Sequence, residues 1–327
     1  MAFHIVQVGF FKPVLEGVED AGANLNRLLS MSGLNKYQLD DREHYVPVNS
    51  MYAFFTELSR QEGIGDSLEH FGDQIKLASL VQWGEMVAST PDVLSAARFA
   101  EKYDQVLMSN ERIQLQINGD RSAIVDRFVD KPSSGREQAE FINVAVIING
   151  LRLAGGDHWS PLEIHLQCKQ VPNFDRLLPS GSETKIILDQ PATMIVFPTA
   201  MLAMSMLGNC TSSASDFGVP SMPATIAAKI ERLLDAMEGK VQPNMKLIAE
   251  VADMSPRTLQ RKLAEEDASL SGVIDQWRFK KSIQLLEDPG MKIKDIGEQL
   301  GYANVPNFER AFRRWAHTSP NRYRELL

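Results

Sequence analysis

The chain has 327 residues with 34 Lys and Arg against 42 Asp and Glu, a net charge of −8, and 44% of it is apolar. That length supports two domains with sizeable cores, and no run nears the roughly 18 apolar residues of a membrane-spanning helix. Two cysteines, Cys168 and Cys210, make neither a disulfide framework nor a zinc set, and the N-terminus lacks the basic region and cleavage site of a signal peptide, so a cytoplasmic protein is expected.

Apolar spacing predicts the elements in chain order. Residues 13–29, 48–58 and 68–87 repeat apolar side chains at helical intervals, and Thr90-Pro91-Asp92 is a helix start that Val93, Leu94, Ala97 and Ala100 continue. At Ile113, Leu115 and Ile117 the period becomes two. Asn118-Gly119 signals a turn, and Ala123 and Val125 resume the alternation, which predicts a hairpin. Helical spacing returns over 137–153, then a half-buried strand through Leu162, Ile164, Leu166 and Cys168, then apolar runs at 185–188 and 194–197. Residues 1–207 are therefore expected to form an α+β domain. Residues 208–223, rich in Ser, Gly and Pro, read as a linker, and 224–327 as an all-α domain.

Within that second domain one plan occurs twice. LIAEVADMSPRTLQRKL places Leu247, Ile248, Val251 and Ala252 before a break at Asp253-Met254-Ser255, then Leu259 and Leu263 one turn apart. IKDIGEQLGYANVPNFERAFRRW places Ile293, Ile296 and Leu300 before a break at 301–304, then Phe308, Phe312 and Trp315 on one face. Two amphipathic helices across a short turn form the helix-turn-helix pattern. Ser255 and Asn304 stand at N-cap positions, with Pro256 and Pro306 in the first turns that follow. A helix over Leu270–Leu286 connects the two units, and at about 1.5 Å per residue it spans roughly 25 Å, enough to hold two reading helices about one DNA turn apart.

Charge follows the same division. Residues 1–222 carry 17 Lys and Arg against 27 Asp and Glu, and the remainder 17 against 15, or −10 and +2. The later basic residues cluster at Arg257-Arg261-Lys262, Arg278-Lys280-Lys281 and Arg310-Arg313-Arg314, where they can neutralise phosphates. Because apolar residues claim one face of each second helix, the opposite face is Arg257, Gln260 and Arg261 in the first and Asn307, Arg310 and Arg314 in the second. Arg forks onto guanine O6 and N7, while Gln and Asn pair with adenine N6 and N7. Arg313 is expected to touch phosphate, and Ser255, Thr258, Asn304 and Arg314 are grouped with it.

These residues carry a resemblance. IAEVADMSPRTLQRKL, Arg278 with LLED, DIGEQLGYANVPNFERAFRRW and SPNRYR resemble the DNA-binding domain of AraC/XylS-type bacterial transcription regulators over about the last 100 residues. The resemblance implies base-reading positions at Arg257, Gln260 and Arg261 and at Val305, Pro306, Asn307 and Arg310. Val305 and Pro306 offer no side-chain hydrogen bond, so the first helix should carry most of the discrimination. Asp253 stands where the family has Gly, His317 likewise, and Gly297 replaces Ala at an expected cost of about 1 kcal/mol if exposed.

STPDVLSAARFAEKY, the hairpin, WSPLEIHLQ and the stretch from NFDRLL to MIVFPTAML resemble the arabinose-binding-like effector domain of one subgroup, across most of 5–207. Together the resemblances imply a regulator whose partners are double-stranded DNA, a small-molecule effector of unspecified identity, a second copy in a homodimer, and RNA polymerase if it activates. They imply no cofactor and no membrane. The alternative is a ligand-independent regulator whose N-terminal domain serves only oligomerisation or protein contacts.

The six histidines lack metal-ligand spacing, and Cys168 reads as a small buried residue. Trp83, Met86, Phe99 and Tyr103 offer either an effector-pocket lining or, as is usual for such a stripe, plain core, which leaves the effector pocket unassigned. No nucleophile–base pair, carboxylate dyad or metal set stands out, so catalysis is not expected.

Overall fold

The computed structural model describes residues 3–62, 64, 70–130, 133–206 and 223–327. The linker expected at 208–223 lies, apart from Pro223, outside the described residues. The chain divides into two compact units, one drawn from His4–Asn35 and Leu39–Met222, the other mainly Pro223–Leu327.

The first unit is α+β. Strand β1 (Ile5–Gln7) leads into helix α1 (Val8–Asp20), and α2 (Leu25–Ser32) follows. The single helix expected over 13–29 is thus two. Gly22 takes φ +81° between them, and the Asn24 side chain caps α2, accepting from the Arg27 amide at 3.0 Å. Val14, Val18 and Leu28 are all buried, so the apolar spacing ran straight across the break.

Strand β2 (Tyr45–Pro47) pairs antiparallel with β1 and leads into α3 (Val48–Glu62). Of the helix expected over 68–87, residues 68 and 69 lie outside the described residues, 70 and 71 are helical, and after a break come a 3-10 turn at Leu77–Leu80 and α4 (Val81–Ala88). Upstream, the Asn149 amide donates to the Gly72 and Ile75 carbonyls at 3.2 and 2.6 Å, satisfying a loop backbone from outside. Helix α5 (Val93–Lys102) begins at its Asp92 cap, which accepts from the Ser95 amide at 2.8 Å.

Strands β3 (Glu111–Asn118) and β4 (Arg121–Phe128) form the hairpin, turning at Gly119 with φ +60°. Helix α6 (Ser134–Gly155) is capped by Ser133, and β5 (Glu163–His165), β6 (Lys185–Ile187) and β7 (Thr193–Pro198) complete a sheet of order β3-β4-β7-β5-β6. Within this sheet β5 and β6 pair in parallel. The register sets Ile113 opposite Asp126 and Leu115 opposite Ile124, so these four share a face. Ala123 and Val125 take the other face, clustering with Ala192 and Val196. Strand β4 is therefore buried on both sides, where simple alternation selects one.

The second unit is all helical: α7 (Ile226–Met237), α8 (Met245–Val251), α9 (Pro256–Ala264), α10 (Leu270–Leu286), α11 (Ile293–Gln299), α12 (Val305–Ala316) and α13 (Pro320–Arg324). Leu286, Ile296, Leu300, Phe308 and Phe312 form one buried cluster there. Helix α10 is fastened to α7 by the Trp277 indole donating to Asp235 at 2.9 Å and by ion pairs Lys280–Glu231 at 2.8 Å and Lys281–Glu238 at 3.1 Å. Among the described residues no helix is long and apolar enough to cross a membrane.

Candidate nucleic-acid interface and the N-terminal cavity

Helices α8 and α9 meet across a turn in which Asp253 takes the left-handed φ of 52° that the family's Gly would supply. Ser255 then starts α9, its hydroxyl accepting from the Thr258 amide at 3.1 Å, with Pro256 next. Leu259 and Leu263 are buried, which leaves Arg257, Gln260 and Arg261 exposed on the far side. Arg261 meets Glu265 at 2.9 Å one turn on. Both are exposed, so that pair is a weak tether.

The second unit repeats this construction more tightly. Gly301 takes φ +82° in the turn, and the Asn304 side chain caps α12 by accepting from the Asn307 amide at 3.0 Å. Phe308 and Phe312 are buried beneath it. Gly297 is buried too, and a Cβ there would stand 3.2 Å from that of Phe308. It therefore serves close helix packing, and the cost expected for an exposed glycine does not apply. His317 closes α12 in the left-handed conformation at φ 55°.

The arginines of α12 are each engaged. Arg310 donates to the Asn307 side chain at 2.5 Å and to the Pro306 carbonyl at 3.4 Å. Arg313 faces Glu309 at 3.5 Å, and Arg314 faces Asp275 of α10 at 2.6 Å. Ser255 and Asn304 spend side-chain oxygens on caps, and Thr258 lies 2.8 Å from the Ser255 hydroxyl. Trp315, partly buried, packs against the core cluster and against Phe279 with ring centroids 5.8 Å apart, on the apolar face its spacing predicts.

One basic cluster is engaged within the domain. Of Arg278, Lys280 and Lys281, the lysines are paired with α7 carboxylates, and the Arg278 guanidinium lies 4.9 Å from the Tyr302 ring centre. These side chains tie α10 to neighbouring elements of the domain. Only the fold could show this, since α7 and α10 lie some 50 residues apart in the chain.

The N-terminal unit contains a cavity of about 80 Å³ between the hairpin and helices α5 and α6. From α5 it is lined by Val93, Ala96, Ala97 and Ala100, small residues at the spacing of one helix face. From α6 it receives Asn143, Val146, Ile147, Gly150 and Leu151, again one face. The hairpin adds Ile113, Ile124, Glu111 and Asp126. Of the stripe read as core, Trp83 lines this cavity, and its indole is spent on the Tyr103 carbonyl at 3.0 Å.

Glu111 and Asp126 are 1% and 0% exposed. Their proximity is diagonal across two strands, so no sequence spacing reveals it. The Asn143 amide donates to both, at 2.8 Å each, while the second Asp126 oxygen, Oδ1, has no hydrogen-bond partner among the described residues. Burial pushes the Asp126 carboxyl up to about 7. Burial, reinforced by the Asp126 charge, lifts Glu111 well above the usual carboxylate range. Cys168, also buried, has its thiol pushed up to about 12 by desolvation.

Fold and site together define a protein built from an α+β domain and a paired helix-turn-helix domain. Residues 248–326 match the family model of a helix-turn-helix domain, and 22–206 match that of the arabinose-binding domain of AraC transcription regulators, N-terminal. The second match spans more than half of the chain, which belongs to the AraC family of transcription regulators. It is similar to the ornithine utilization regulator of Pseudomonas aeruginosa, 22% identical over 343 residues, covering 98% of this chain and 96% of that one. It is 36% identical over 81 residues to the uncharacterized HTH-type transcriptional regulator Rv1395 of Mycobacterium tuberculosis, covering 25% of this chain and only 24% of that protein. The crystal structure of the transcriptional regulator CdpR from Pseudomonas aeruginosa is 18% identical and covers 96% of this chain and 97% of that one, at a TM-score of 0.37.

Proposed function

We propose that this chain is a cytoplasmic, sequence-specific DNA-binding regulator whose residues 224–327 read double-stranded DNA and whose residues 1–207 bind a small effector and dimerise. The observation that carries the proposal is the duplicated, capped reading helix with a polar face over a buried apolar one. Arg257, Gln260 and Arg261 are the base-reading set of α9; Val305, Asn307 and Arg310 form that of α12, with Val305 able to meet a thymine methyl. Arg313 and Arg314, with the first turns opened by Ser255, Thr258 and Asn304, contact phosphate. Arg314 does so by leaving Asp275, which a phosphate replaces as the anionic partner.

The apolar cavity with convergent polar groups supports effector control over a purely oligomeric role, because such a site is the usual form of a small-molecule pocket. Effector binding then shifts the balance between DNA-binding geometries. A mobility-shift assay on the DNA upstream of its own gene tests the reading. Full-length protein should form a discrete complex, and folded Arg261→Ala and Arg310→Ala proteins that bind at full affinity would remove the base-reading assignment.

A further inference from the structure

Apart from the committed Trp83 indole, the side-chain hydrogen-bonding groups that line the cavity are Glu111, Asp126 and Asn143, gathered at one spot. The rest of the lining is aliphatic. A sugar has hydroxyls on every side and would leave most of them without partners against Val93, Val146 and Leu151. An anion would be set against two carboxylates. Arg136, a buried positive charge that acts on Asp126, is not in the lining, and its guanidinium donates to Gln167 at 3.1 Å.

What the walls lack is a donor for Asp126 Oδ1, a buried oxygen of a cavity-lining residue that accepts nothing. Asn143 supplies one amide nitrogen to two carboxylates, and a single buried acceptor left unmatched is costly. A ligand group with several N–H donors and a positive charge would satisfy it.

We propose that this cavity takes a small molecule with a compact apolar body and a single ammonium-type cation, the nitrogen lodged against Asp126 and Glu111 and the body between the Ala96–Ala97–Ala100 face of α5 and the Val146–Gly150 face of α6. The proposal rests on the effector reading above and supplies its ligand class. Gly150 and the three alanines leave room for a ring or short chain, and larger side chains at those positions would fill it. The Leu77 side chain already stands 3.1 Å from where a Cβ on Gly150 would sit.

The test uses full-length protein and three probes of matched size: cyclohexylamine, which is a cation at pH 7.5, cyclohexanol and cyclohexanecarboxylate. Calorimetry should show cyclohexylammonium binding at least about tenfold tighter than either of the others, the size of one charge-assisted contact. Asp126→Asn should lose that preference while its thermal unfolding shows a folded protein, and Ala97→Leu should block the body.

Equal or tighter binding of cyclohexanol or the carboxylate overturns the cation assignment. So does full cyclohexylammonium affinity in folded Asp126→Asn, or no binding of any probe up to 10-millimolar concentrations, roughly where affinity falls below about 3 kcal/mol. The effector reading is tested separately by adding each binder to the mobility shift. A cation that binds at Asp126 and leaves DNA affinity unchanged sinks effector control and keeps the site, whereas a neutral or acidic binder that shifts DNA affinity does the reverse.

Discussion

The two units treat charge in opposite ways. The N-terminal unit buries one group of charges: Asp104, Glu111, Asp126, Glu140 and Arg136 are at most 6% exposed. The C-terminal unit displays it, with Arg257, Arg261, Arg310, Arg313 and Arg314 all on the surface. A hidden charge answers to desolvation, so its proton and its neighbours decide its state. A displayed charge is screened and worth little until a polyanion arrives. The proposed small-ligand site is therefore to be tuned by burial and the proposed DNA face by salt.

The largest expected effect lies on the displayed side. With about six phosphate contacts, the log–log slope of DNA affinity against salt should be near roughly −5, about a thousandfold loss between about 50 and 200 mM. A flat response in filter-binding titrations would contradict the phosphate set. Next comes the support under that face: Phe312→Ala should cost about 3–5 kcal/mol in urea unfolding of the C-terminal unit and abolish DNA binding. Arg257→Ala and Arg261→Ala should each lower discrimination between bases by about 1–3 kcal/mol, measured by competition between related duplexes. Arg310→Ala should cost less, since Asn307 already holds its guanidinium in the free protein.

The hidden side should respond to pH. Asp126 faces Asp104, Glu140, Glu111 and Arg136, and burial raises all four carboxyls. A carboxyl raised in the folded state binds its proton more tightly there than in the unfolded chain. Its contribution is complete below the ordinary carboxylate range and is lost as pH rises through about 7 for Asp126. Stability of the N-terminal unit should thus fall between about pH 4 and 7, by at most about 1.4 kcal/mol per pH unit for one titrating carboxyl. Asp126→Asn should flatten that slope in thermal melts, and an unchanged slope would count against the buried-acid account.

The sequence made the displayed side legible and left the hidden side dark, for a physical reason. Caps, breaks and helical spacing are local, so Ser255, Asn304, Leu259 and Phe312 announce the reading helices within a few residues. The departure at Asp253 was interpretable because one backbone angle decides it. Glu111, Asp126 and Asn143 are brought together by strand register and a helix placed across it, over 32 residues of chain. Strand β4 is covered on both faces, so a polar residue in its hidden phase looks like an outward one. The pairing of Lys280 and Lys281 with α7 was invisible for the same reason, and so was the Gly22 break, which an unbroken apolar rhythm concealed.

The central claim is that α9 carries most of the sequence discrimination. The direct measurement is a full set of single-base substitutions in a duplex selected from a random library by the full-length protein, titrated with wild type and Arg261→Ala. The prediction is that Arg261→Ala removes preference at one or two positions within one half-site and leaves the positions about one helical turn away unchanged. Uniform weakening across every position, with all preferences retained, would show that Arg261 touches only phosphate and would contradict the account.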